Sequence, residues 1–110
     1  MQLEFFWDAE GDARARCKGR GKVVAGFLES DLQDSTRAAH EVLRALDDVE
    51  SGREESWELT GNTHTLSLTP EGATIVDEMD DEAEPYELSL AKLREVVADW
   101  ASFLDEGRRT

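Results

Sequence analysis

Residues 56–76 read SWELTGNTHTLSLTPEGATIV, and the alternation of apolar and polar side chains along them decides the fold. Trp57 and Leu59 share one face of an extended chain, as do His64, Leu66 and Leu68, because successive strand side chains point to opposite sides. Gly61-Asn62 and Thr69-Pro70-Glu71-Gly72 interrupt the alternation with residues that favour tight turns. The pattern predicts a three-stranded antiparallel meander with one apolar face. Such a face has to be covered, and the helical stretches on either side of the meander are the available covers.

Upstream, Leu3 to Trp7 reads as a strand with Leu3, Phe5 and Trp7 turned inward, and Asp8 to Asp12 as a loop in which Gly11 can take a positive φ. Ala13 to Lys18 then reads as the second strand of a hairpin. Arg14, Arg16, Lys18, Arg20 and Lys22 occupy every even position, with small residues between them. A turn at Gly19 to Gly21 leaves Arg14, Arg16 and Lys18 as a stripe. Its simplest reading is a solvated sheet face whose charge discourages edge pairing; the alternative is pairing with the chain's own acids. Val23 to Leu28 is apolar on both faces and predicts a third, central strand.

Ser30-Asp31-Leu32-Gln33 matches a capping box, with Asp31 and Asp34 in the first turn where the helix dipole favours acids. Leu32, Thr36, Ala39, Val42 or Leu43, Leu46 and Val49 recur at helical spacing, predicting a helix from Asp31 to about Glu50 with Gly52 just beyond its end. After the meander, Asp77 to Glu87 holds seven acids and no base, which predicts a solvated loop. Ser89 then caps a last helix from Leu90 to about Glu106. Its stripe is Leu90, Leu93, Val97, Trp100 and Leu104; Gly107 ends it, and Arg108 and Arg109 trail beyond. The expected class is α+β: antiparallel strands, in one sheet or two, in the order βββ-α-βββ-α. Both amphipathic helices pack on the apolar face, and residues 1–110 form a single domain.

Twenty-six acids against twelve Lys and Arg give a net charge of −14 on 110 residues. A field of that sign repels nucleic acid and anionic lipid and draws in basic proteins. No apolar run approaches the ~18 residues of a membrane span. The N-terminus has neither a basic region nor a small-residue cleavage site, so no signal peptide is expected. With one cysteine, Cys17, no intrachain disulfide can form. A cytoplasmic protein with no membrane association is the expectation.

Chemical motifs are missing. Two histidines and one cysteine are too few for an ordinary zinc site. The acid run lacks the spacing and glycine of a calcium-binding EF-hand loop, which leaves at most weak divalent-cation binding by Asp77 to Glu84. His40 falls on the polar side of its helix, His64 on the inward face of the meander, and Cys17 opposite the cations as a small packed side chain. None of them sits in a nucleophilic constellation, and no phosphate-binding glycine loop exists. No enzyme activity, no cofactor and no resident metal are expected.

Ser56-Trp57-x-x-x-Gly61-x-x-x-Thr65-Leu66, followed by a short turn and another strand, resembles the core motif of the small YacL-like bacterial family. Leu3-Glu4-Phe5, Val23-Val24-Ala25-Gly26 and the helix start at Leu88-Ser89-Leu90 resemble further segments of it. The chain departs from that pattern at Asn62-Thr63 and in a shorter region before the last helix. The resemblance implies a fold and no catalytic residues. In type alone, a small, acidic, cysteine-poor chain is similar to bacterial toxin immunity proteins, which block a basic toxin domain, often a nuclease.

The reading is therefore a non-enzymatic acidic binding protein. Its expected partner is a basic protein, in the first instance a toxin domain neutralised by direct binding, with no direct nucleic-acid contact. The alternatives are an uncharacterised YacL-like housekeeping protein and a nucleic-acid-mimicking regulator. The expected partner surface is Asp77, Glu78, Met79, Asp80, Asp81, Glu82, Glu84, Tyr86 and Glu87, joined by Asp47, Asp48 and Glu50 from the end of the first helix. Met79 and Tyr86 are its candidate anchors.

Overall fold

The meander forms in the register that the alternation requires. The computed structural model describes residues 1–108. Strands β1 (Glu4–Trp7) and β2 (Ala13–Arg16) make a two-stranded hairpin. A single 3-10 turn at Gly19–Gly21 leads into helix α1 (Lys22–Phe27), and a wide π-type turn at Leu28–Leu32 separates it from α2 (Thr36–Glu50). Strands β3 (Trp57–Thr60), β4 (His64–Thr69), β5 (Gly72–Asp77) and β6 (Tyr86–Leu88) form a four-stranded antiparallel sheet in sequential order, followed by α3 (Leu90–Arg108).

Cross-strand pairing sets Leu59 opposite Leu66, Leu66 opposite Ile75, and Leu68 opposite Trp57 and Ala73. These residues share one face, where Leu66, Leu68, Ala73 and Ile75 are buried. The opposite face carries Glu58, Thr65, Ser67, Thr74 and Glu87. Helix α2 turns Ala39, Val42, Ala45, Leu46 and Val49 to the core; α3 turns Leu93, Val96, Val97, Trp100, Ala101 and Leu104. These two helices pack side by side over the apolar face. Ser35 Oγ accepts the Ala38 amide hydrogen to cap α2, and Ser89 Oγ accepts that of Lys92 to cap α3.

The hairpin joins this core through aromatic rings. Phe5 meets Trp100 edge-on with ring centroids 5.0 Å apart, and Trp7 stacks on Phe103 at 5.0 Å. A side chain at Gly107 would run into the Trp7 ring. The glycine therefore lets the ring reach the helix surface, and α3 continues through it to Arg108 instead of stopping there. Arg109 lies outside the described residues.

The structure corrects the expected order in three places. Val23 to Leu28 is not a strand. Gly21, Val24, Ala25, Phe27, Leu28 and Leu32 are buried, a spacing of three and four that belongs to a helix. Two adjacent valines favour extended chain, and the tertiary fit overrides that preference. The capping box at Ser30 does not form either. Gln33 takes φ 54° and interrupts the helical path before α2, so the helix begins at Thr36, five residues later than expected. Gln33 and Ser30 do meet, but the Gln33 amide donates to the Ser30 carbonyl at 3.0 Å. Finally, the end of the acid run is a strand. Tyr86 and Leu88 point to the core face opposite Ile75 and Ala73, with Glu87 outward. The order is ββ-αα-ββββ-α, still an α+β fold.

Leu66 lies at the centre of the sheet and has no exposed surface. Leu66→Ala is expected to lower the unfolding free energy by about 2–5 kcal/mol through lost burial and a residual cavity. Urea denaturation measures it, and a loss well under ~1 kcal/mol would place Leu66 outside the core.

Candidate functional site

The turn between β3 and β4 is held by a side chain more than thirty positions away. The Asp31 carboxylate, with no exposed side-chain surface, accepts the Thr63 amide hydrogen on Oδ1 at 3.1 Å and the His64 amide hydrogen on Oδ2 at 2.8 Å. Thr63 Oγ1 also donates to Oδ1 at 3.0 Å. Asn62 Nδ2 donates to the Ser30 carbonyl at 2.9 Å. Gly61 makes room for this, because a Cβ there would overlap the Asp31 side chain. Asp31 was expected in a helix's first turn, favoured by the helix dipole; it is instead a buried staple between the π-type turn and the meander.

The same network orients His64, which is 5% exposed. Thr63 Oγ1 lies 2.7 Å from His64 Nδ1. A hydroxyl has one hydrogen, and here it goes to the acceptor-only Asp31 carboxylate. The remaining geometry assigns the hydrogen of the Nδ1 contact to the imidazole. In the neutral imidazole Nε2 then carries the lone pair.

His64 forms the inner wall of a cleft of about 510 Å³. The 3-10 turn supplies Arg20, α1 supplies Lys22, Val23 and Gly26, the sheet supplies Asp77 and Tyr86, and the loop between β5 and β6 supplies Asp80, Ala83, Glu84 and Pro85. Of the expected partner surface, the structure thus brings Asp77, Asp80, Glu84 and Tyr86 together around one opening. Asp77 Oδ1 accepts the Met79 amide hydrogen and Asp80 Oδ1 that of Glu82, so these two acids also shape the loop. Glu78 donates its amide hydrogen to the Thr63 carbonyl. Met79 is 74% exposed, and Asp81 and Glu82 stand in solvent. Tyr86 is half-buried in β6 with its hydroxyl 3.9 Å from Met1 Sδ, and Glu87 points to the outer sheet face.

Asp47, Asp48 and Glu50 do not join this group. Arg94 of α3 contacts Asp47 at 2.8 Å and Glu50 at 2.7 Å, and Arg53 contacts Asp48 at 2.9 Å. The hydrogen bond to Glu50, aided by Asp47 and opposed by burial, raises the Arg94 pKa above its ordinary value. These acids bind the end of α2 to its neighbours.

The cationic stripe is likewise divided. Arg14 pairs with Glu29 at 3.4 Å, Arg16 lies over the Phe6 ring at 4.9 Å, and Arg20 reaches Glu84 at 3.4 Å. Cys17 and His64 are buried and His40 is exposed, as their positions suggested. Asp8, Glu10 and Asp12 bring carboxylates within 4.8 Å of one another in the hairpin loop, where Asp8 Oδ1 accepts the Glu10 and Asp12 amide hydrogens. Among the described residues no helix is long and apolar enough to cross a membrane.

The profile of the uncharacterised protein family UPF0231 matches residues 1–94. The chain belongs to that family. It is similar to a UPF0231 protein of Shewanella amazonensis (strain ATCC BAA-1098 / SB2B), 27% identical over 124 residues that cover 98% of this chain and 100% of the relative. UPF0231 proteins of Shewanella sp. strains MR-4 and MR-7 are each 26% identical over 103 residues, covering 79% of this chain and 82% of theirs. No solved structure matches the chain. The resemblance to a small, uncharacterised YacL-like bacterial family is borne out. The match supports the reading of an uncharacterised family member above that of an immunity protein.

Asp31, Thr63 and Gly26 were missed as site residues. The signal available was the turn at Asn62-Thr63, the segment that binds Ser30 and Asp31. Asp31→Ala leaves the shielded amide hydrogens of Thr63 and His64 without their acceptor, at about 1–3 kcal/mol each. A urea midpoint lowered in proportion, with an unchanged slope, is the expected result; an unshifted midpoint would show that the staple contributes nothing.

Proposed function

We propose that this chain is a non-enzymatic acidic binding protein whose loop between β5 and β6 docks a basic protein partner. The observation that carries the reading is the acidity of that loop. Asp81 and Glu82 are exposed beside an exposed Met79, and the ion pair reaching the loop is the exposed one from Arg20 to Glu84. The acids at the end of α2 are paired locally, so the loop keeps more of its charge open to a partner than they do. Charge of this kind speeds encounter, and packed anchors slow release. Met79 supplies an apolar tip, and the Tyr86 ring supplies a firmer surface at the base of the loop. A toxin domain is the narrower form of this partner, supported by charge, size and likeness of type. A nucleic-acid-mimicking regulator would use the same loop.

The test starts from a partner cross-linked in the native host and purified. Asp80, Asp81, Glu82 and Glu84 are then changed together to Asn or Gln. Parent association is expected to approach ~10⁸ M⁻¹s⁻¹ at low salt and to slow as salt rises. Screening contracts the field from about 10 Å at 0.1 M to about 3 Å at 1 M. The fourfold variant should associate more slowly, with a flatter salt dependence and an unchanged urea midpoint. Equal association rates at low salt would reduce the loop to a solvated connection.

A further inference from the structure

We infer that the cleft at His64 grips a single arginine side chain of the basic partner. This rests on the proposed docking reading and names what the docked surface inserts. The His64 side chain is 7% exposed, and its Nδ1 is taken by Thr63. Nε2 has no hydrogen-bond partner among the described residues. Every fully buried side-chain nitrogen and oxygen there does have one, so Nε2 opens onto the cleft it lines. In the neutral ring with its hydrogen on Nδ1, Nε2 accepts.

The acids on the sheet and loop side of the cleft have the same character. Asp77 is the cross-strand partner of His64 on the same sheet face, and its Oδ1 serves the Met79 amide while its second oxygen has no partner among the described residues. Asp80, Glu84 and Tyr86 extend this acidic wall, and Lys22 and Arg20 stand on the opposite, α1 side of the cleft. Acceptors beside an aromatic ring complement a guanidinium, which is planar, donates five N–H groups, accepts none and stacks on aromatic faces. The cleft, about 510 Å³, has the size of an organic-ligand site. A bare metal ion fits less well: His64, Asp77 and Asp80 do not gather their ligand atoms, whereas Asp8, Glu10 and Asp12 do. Arg20 reaches Glu84 across the mouth through a solvent-exposed pair at 3.4 Å, a weak contact that an incoming cation can displace. Gly26 keeps the floor open, since a Cβ there would lie 3.3 Å from Nε2.

The test is an NMR titration of the full chain, following the His64 imidazole nitrogens and the Asp77 amide. The probes are N-acetyl-arginine methylamide, its neutral citrulline analogue and Zn²⁺. Arginine should shift these signals saturably, with citrulline binding at least ~10-fold more weakly because its hydrogen bonds lack charge. Gly26→Ala should abolish the shifts while leaving the acidic loop intact. Its unfolding midpoint, measured alongside, sets the helix gain of alanine against the 3.2 Å and 3.3 Å contacts of the new Cβ with the His64 ring. Asp77→Asn keeps the Oδ1 acceptor that shapes the loop and should weaken arginine binding even if the first variant folds poorly. Equal binding of citrulline, no shift at His64, or a response to Zn²⁺ alone would overturn the inference. Arginine binding with no salt effect of the loop on partner association would sink the docking reading and leave the pocket. A salt-steered partner that binds Gly26→Ala as tightly as the parent would do the reverse.

Discussion

The Asp31 carboxylate is a charge with no exposed surface, and it is held by donors from residues 63 and 64. A buried carboxylate is tolerable when its lone pairs are satisfied by well-placed hydrogens. Here two of those hydrogens are backbone amides at the start of β4. The bond therefore fixes where β4 begins and, with it, the register that turns Leu66 and Leu68 inward. On the other side it fixes the π-type turn and so the position of α1 above β5. The ring of His64 and the floor of the cleft at Gly26 face each other because these two segments are joined at Asp31.

The distribution of charge follows from the same packing. A net charge of −14 suggests a uniformly acidic surface, but several acids are paired inside the fold. Glu29 accepts the Ala15 amide hydrogen at the edge of β2 and pairs with Arg14. Arg94 draws Asp47 and Glu50 to α3, and Arg53 folds back on Asp48. These pairs bind one element to another and satisfy groups that would otherwise repel. The loop between β5 and β6 is a longer segment in which acids outnumber nearby cations and face solvent. Partner and cleft readings both depend on that contrast.

The cleft was half legible in the sequence. Asp77, Asp80, Glu84 and Tyr86 stood out because they lie in one dense run. His64 was placed on the inner face by period two alone. Lys22 and Gly26 were hidden, because their segment looked like a strand and strand geometry would have sent them elsewhere. The role of Asp31 was hidden for a similar reason: an acid after a serine, before a helical pattern, reads as a capping residue. Asp47, Asp48 and Glu50 were legible as acids but not as paired ones.

What the sequence determined by itself was periodic. Alternation over residues 57–76 specified the meander and its buried face, and spacing of three and four specified α2 and α3 with their inner stripes, because both depend only on neighbouring side chains along the backbone. Ser89 and Gly52 marked helix ends for the same local reason, and Gly52 does take φ 84°. The tertiary structure alone decided the cases where local rules tie or conflict. Val23 to Leu28 is apolar enough for either strand or helix, and contact with β2 and β5 selected the helix. Tyr86 to Leu88 is too short to announce a strand, and the open edge of β5 made it one. The Asp31 carboxylate went to the donors that needed it most, thirty-two and thirty-three residues away, because burial makes an unpaired amide costlier than an uncapped helix end.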